Sequence, residues 1–207
     1  MRIALLHGWG LDGAIWDRVL PLLAGHDCAV EDRGYFGPPT SVEAADLVVG
    51  HSLGALRALL APPSSARALL ALNGFDRFAA APDFPAGTPP RVLDRMLARL
   101  ISDPAGVVAD FRTRCGAPPA SSAPIAARLA EDLVLLRDAD GRQRWQGPFA
   151  RFDGADDPIL SPAHRAACFT DHTGGAGQVL TGHGHLLPVT APEACAAAIL
   201  SLAERLA

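Results

Sequence analysis

Lysine is absent from this 207-residue chain, in which all 18 basic residues are arginine. With 18 Pro, 20 Gly and long alanine tracts, that absence reflects the coding bias of a GC-rich genome more than a chemical demand. Cysteine is scarce too. Cys28, Cys115, Cys168 and Cys195 are scattered without a C-x-x-C pair or metal-ligand spacing, so they read as reduced, partly buried thiols. No metal or organic cofactor is expected. No stretch reaches the roughly 18 apolar residues that span a membrane, and the first apolar run is too short for a signal peptide. Only 19% of residues are charged and the net charge is −4, which argues against nucleic acid as a partner. A cytoplasmic protein without a membrane partner is therefore expected; the oligomeric state is left open, with a monomer as the default.

What is present is a globular composition, 49% hydrophobic, in a length that suits one domain with room for an inserted subdomain. Strand-like runs alternate with helical patterns, which predicts a mainly parallel sheet covered by helices on both faces. Ile3–Leu6, Cys28–Glu31, Asp46–Val49 and Ala68–Leu72 read as strands. Asp12–Ala24 reads as a helix with Ile15, Val19, Leu22 and Leu23 on one face, and Ala55–Leu60 as another. Three helical segments then interrupt the alternation between about Thr88 and Arg137. Thr88 is placed to cap the first, with Pro89 opening it. Asp103 and Pro104 open the second and Gly116 ends it. The third, Pro124–Arg137, carries Ile125, Leu129, Leu133 and Leu136 at helical spacing. The sheet resumes at Pro148–Phe152 and Gln178–Leu180, and Pro192–Leu206 forms a closing helix. Residues 1–74 and 146–207 are thus expected to form the core, and residues 75–145 a helical lid.

Gly50-His51-Ser52-Leu53-Gly54 lies between an apolar strand and a helix, the context that a G-x-S-x-G turn needs to project a strained serine. A serine hydroxyl becomes a useful nucleophile only when a base takes its proton and a carboxylate orients that base. Asp157, just before Pro158 in a turn after a late strand, is the favoured carboxylate; Asp156 and Asp76 are the alternatives. Gly182-His183-Gly184-His185 supplies the base, and either histidine can reach. Charge building on the carbonyl oxygen needs preorganised amide donors. Leu53, after the serine, provides one, and Trp9 in His7-Gly8-Trp9-Gly10 provides the other.

In this order, these motifs resemble the α/β-hydrolase superfamily. Gly184-His185-Leu186, followed by Pro192-Glu193, has the family's spacing and selects His185 over His183. The resemblance therefore implies an α/β-hydrolase fold with a Ser52–Asp157–His185 triad. Its N-terminal part is shortened, and a loop replaces the helix expected between Gly37 and Asp46. Within the superfamily, His7-Gly8-Trp9-Gly10-Leu11-Asp12 with Trp16 is most similar to the pimeloyl-acyl-carrier-protein methyl ester esterases of biotin synthesis. So is the stretch from Asp83-Phe84-Pro85 to Ile101-Ser102-Asp103. That likeness implies a carboxylesterase acting on a pimeloyl-type methyl ester bound to an acyl carrier protein; the alternatives are a general carboxylesterase on small free esters and a slow, ligand-binding hydrolase homologue. From Phe75 to Trp145 there are 10 Arg against 9 acidic residues, and 8 against 13 elsewhere. Arg91, Arg95 and Arg99 recur every four residues beside an apolar helix face. They are the candidate contacts for an acidic carrier or its phosphate arm.

Overall fold

The computed structural model describes residues 1–172 and 177–206. The short apolar runs become six parallel strands: β1 (Arg2–Leu6), β2 (Asp27–Glu31), β3 (Leu47–His51), β4 (Ala68–Leu72), β5 (Phe149–Gly154) and β6 (Gln178–Leu180). They lie in the order β2-β1-β3-β4-β5-β6. β3 and β4 are buried along their whole length, as strands covered on both faces must be. Alternate residues feed two cores. Ala4, Leu6 and Val48 point into one with α1 (Leu53–Leu60), while Ile3, Leu5, Leu47 and Val49 point into the other with α7 (Pro192–Glu204). Because every pairing is parallel, the strands' carboxyl ends share one edge, where open α/β sheets bind ligands.

Between β4 and β5 the chain leaves the sheet to form α2 (Pro90–Leu100), α3 (Pro104–Cys115) and α4 (Ala126–Asp138). α3 has the expected signals: Asp103 accepts from the Gly106 amide at 2.8 Å, and Gly116 closes the helix with φ 77°. Thr88 does not cap α2. Two prolines follow it, and a residue before proline is driven out of the helical region; Pro89 therefore sits at ψ 128° and the helix starts at Pro90. Thr88 instead pairs its backbone with Phe78 and Ala80. α4 begins two residues later than expected, which leaves Ile125 43% exposed while Leu129, Leu133 and Leu136 stay buried.

The expected helix over Asp12–Ala24 is also corrected. Two 3-10 turns, Gly13–Trp16 and Leu20–Leu23, stand there. Pro21 lacks an amide and its ring crowds the preceding turn, so no continuous helix can cross it. Ile15, Val19 and Leu23 still reach the core, but Leu22 points outward. Two short helices escaped the sequence reading: α5 (Pro162–Ala167) and α6 (Leu187–Thr190). Residues 37–46 form the expected loop. Among the described residues no helix is long and apolar enough to cross a membrane, and all four cysteines are free thiols.

Candidate active site

The strand-to-helix turn at Ser52 is as tight as its glycines suggest. Ser52 adopts φ 54°, a left-handed conformation that costs an L-residue about 1–3 kcal/mol and persists only where the surroundings enforce it. A Cβ on Gly50 would come within 2.4 Å of the Ala55 amide, and one on Gly54 within 2.3 Å of the Leu6 carbonyl oxygen. Glycine at both positions therefore lets α1 press against β3 and β1. Ser52 is 5% exposed and opens into a cavity of about 340 Å³ with a largely apolar lining.

The structure joins Asp157 to His185: His185 Nδ1–H donates to Asp157 Oδ2 at 2.8 Å, with both side chains sealed from solvent. The same Oδ2 accepts from Asn73 Nδ2 at 2.8 Å, while Oδ1 accepts the amides of Ile159 at 2.7 Å and Leu160 at 3.1 Å. Burial works to raise the Asp157 pKa, but the His185 imidazole and the Leu160 and Ile159 amides overcome it and hold the carboxyl down at about 2. With Nδ1 protonated, His185 keeps its Nε2 lone pair free. That atom is buried and has no partner among the described residues. The Ser52–His185 hydrogen bond is not closed here, and in unliganded enzymes such bonds are often long and tighten on substrate binding.

The other carboxylates and the other histidine point elsewhere. Asp156 is exposed, Asp76 accepts the Phe169 amide at 2.7 Å, and His183 Nδ1 lies 3.1 Å from Thr190 Oγ1. Leu53 is the first residue of α1, where the helix leaves its amide without an acceptor. Trp9 lines the cavity, its amide unpaired among the described residues. Its indole N–H donates to the Leu129 carbonyl of α4 at 2.9 Å. Val92, Leu93 and Met96 turn the apolar face of α2 onto the cavity. Arg91, Arg95 and Arg99 all lie on its exposed side and none of them lines the Ser52 cavity. Arg95 and Arg99 line an adjoining groove between α2 and α3 that shares Val92, Met96, Phe111 and Arg114 with the cavity, and Arg99 is paired with Asp103 and Asp110.

No family model matches the chain. It is 29% identical to the pimeloyl-[acyl-carrier protein] methyl ester esterase of Cronobacter sakazakii, an alignment covering 100% of this chain and 94% of the relative. An esterase from Exiguobacterium antarcticum superposes with a TM-score of 0.83 at 14% identity, covering 99% of this chain and 92% of that one. A bromoperoxidase from Bacillus anthracis gives 0.81 at 15%, covering 98% and 91%. The chain has the α/β-hydrolase fold. The α/β hydrolases host many chemistries, so activity must be argued from the site.

Two residues of this site carried no local signal. Asn73, at φ 45° directly after β4, holds the carboxylate from 84 positions away. His51 lies inside the serine motif, yet its role appears only in three dimensions. Its Nε2–H donates to the His185 carbonyl at 2.8 Å, with the two rings edge to face at 5.0 Å. Burial, assisted by His185, pushes the His51 pKa down to about 3. In the unfolded chain it titrates near 6.5, so its stabilising contribution is complete above that pH and drains away as the pH falls toward 3. Urea melts between pH 7 and pH 4.5 should show falling stability, with His51 contributing at most about 1.4 kcal/mol per pH unit. His51→Gln keeps a donor for the carbonyl but does not titrate, so its decline should be shallower. An equally steep decline would remove His51 as a source of the effect.

Proposed function

We propose that this chain is a serine carboxylesterase, with Ser52 as nucleophile, His185 as base and Asp157 as the carboxylate that orients it. The observation that carries the reading is the sealed Asp157–His185 pair beside a strained Ser52 that opens into an apolar cavity. His185 Nε2 takes the Ser52 proton as Oγ attacks the ester carbonyl. The amides of Trp9 and Leu53 receive the oxyanion, each worth about 3 kcal/mol to the barrier. Collapse breaks the carbon–oxygen bond, and His185 passes its proton to the departing alcohol. Water, deprotonated by His185, then attacks the acyl-serine, and the proton returns to Ser52 Oγ as the acid leaves.

The substrate we favour is the methyl ester of an acyl-carrier-protein-bound dicarboxylic chain of pimeloyl type, which would place the chain in biotin synthesis. Full-length similarity to the Cronobacter esterase supports this choice. So does the insertion between β4 and β5, read as a lid over residues 75–145. One face of α2 covers an acyl chain while Arg91, Arg95 and Arg99 meet an acidic carrier from the other.

The test compares wild type with Ser52→Ala on pimeloyl-carrier methyl ester and on a short free chromogenic ester. Wild type should prefer the carrier ester by kcat/KM, with the variant inactive on both. Preference for the free ester would keep the chemistry and remove the carrier. Full activity in Ser52→Ala would refute the nucleophile.

A further inference from the structure

The cavity that receives Ser52 contains a buried imidazole for which the proposed chemistry has no use. His164 stands in the first turn of α5, its amide capped by Ser161 Oγ at 3.1 Å. The residue is 2% exposed, and its ring sits within an aromatic collar of Phe75, Phe78 and Phe84, with centroids 6.4, 5.5 and 5.6 Å away. Nε2 lies 3.1 Å from the Arg77 carbonyl oxygen. A carbonyl can only accept, so the ring proton is on Nε2 and Nδ1 carries a lone pair. Nδ1 has no protein partner among the described residues, although it is not sealed like the orphaned nitrogens of His51 and His185. Since the ring lines the Ser52 cavity, Nδ1 is a hydrogen-bond acceptor left to whatever fills that cavity. Burial pushes the His164 pKa below the usual imidazole range, so the ring is neutral at pH 7.

We infer that His164 is a specificity-determining residue of the acyl pocket, its Nδ1 accepting a hydrogen bond from a hydroxyl or amide N–H that the substrate carries beyond its ester. This rests on the reading of Ser52 as an esterase nucleophile. A polar atom among aromatic rings is costly when an apolar ligand displaces its water and leaves it unpaired. Sites built to bond a substrate donor reject analogues that lack it more sharply than apolar pockets reject a missing methylene. A free carboxylate at the same point would set its lone pairs against that of Nδ1. The pocket therefore suits a dicarboxylic chain whose far end is masked and followed by an amide, or a hydroxylated acyl chain, over a free half-ester.

The experiment measures kcat/KM for methyl esters over a short series of chain lengths, ending in methyl, hydroxyl, primary amide or carboxylate. Wild type should favour a donor-bearing ester over its methyl- and carboxylate-ended partners by about tenfold or more at one length. The hydroxyl and amide arms tell the two donors apart. His164→Leu should bring the ratio close to one, lowering the donor-bearing rate and raising the methyl-ended one, while His164→Gln, which retains an acceptor, keeps part of it. Wild-type indifference to the terminal group overturns the inference whether or not the variants fold, and so does a preference that survives His164→Leu. Hydrolysis of every ester without discrimination leaves the esterase reading standing and removes only the role of His164. Failure to hydrolyse any of them brings down both.

Discussion

Asp157→Asn is expected to lower kcat by about 10⁴-fold, the cost of the equivalent change in a serine protease with a catalytic triad. Every group around this carboxylate is a donor: His185 and Asn73 on one oxygen, the amides of Ile159 and Leu160 on the other. An asparagine must direct its NH2 at one pair or the other. Facing the two amides, it loses both bonds and meets like with like. Facing His185, it clashes with Asn73 and forces the imidazole proton from Nδ1 to Nε2, where no lone pair remains to activate Ser52. Asp157→Asn combined with Asn73→Asp gives the side-chain NH2 at position 157 an acceptor and removes the clash with residue 73, but it leaves that NH2 facing Nδ1 and the imidazole in the wrong tautomer. It should therefore recover stability more fully than rate. Steady-state kinetics on any accepted ester, with melts in parallel, checks both; a kcat within tenfold of wild type would mean that Asp157 does not set the tautomer.

This site also shows what could be read from sequence. The buried runs of β3 and β4 are legible because a covered parallel strand has no polar face to interrupt them. The Ser52 turn is legible because two glycines are compulsory where a Cβ would strike Ala55 or Leu6. Thr88 and Asp12–Ala24 misled because local signals were read without their neighbours: Pro90 moves the start of α2, and Pro21 breaks the helix ahead of Leu20. Asn73, His51 and His164 could not be found by spacing. Their partners lie 84, 134 and 87 positions away, and only the alignment of the strands' carboxyl ends brings them together. The arginines of α2 were legible as a stripe, but their pairing was not, since Asp103 and Asp110, which hold Arg99, belong to the next helical segment.

The contact expected to matter most for stability was invisible in the sequence. Asp132, 2% exposed on α4, accepts Arg33 Nε at 2.7 Å and Nη2 at 2.8 Å, together with the hydroxyl of the fully buried Tyr35. Asp132→Ala should destabilise the protein by about 3 kcal/mol, near the low end for breaking a buried ion pair because the Arg33 side chain can still reach water. The Tyr35 hydroxyl cannot. By contrast, Asp94→Ala, which breaks an exposed pair with Arg137 on the same helix bundle, should cost at most about 1 kcal/mol. The Asp132 loss should also reach the chemistry. The Arg33 amide donates to His7 Nε2 at 3.0 Å, and the opposite ring nitrogen, Nδ1–H, donates to the Gly8 carbonyl at 2.8 Å. In a trans peptide the Gly8 carbonyl and the Trp9 N–H point in opposite directions, so holding the carbonyl aims the amide assigned to the oxyanion. Loosening Arg33 should therefore lower kcat more than it raises KM in Asp132→Ala, measured well below its melting temperature. A stability loss with kcat intact would confine Asp132 to holding α4 in place.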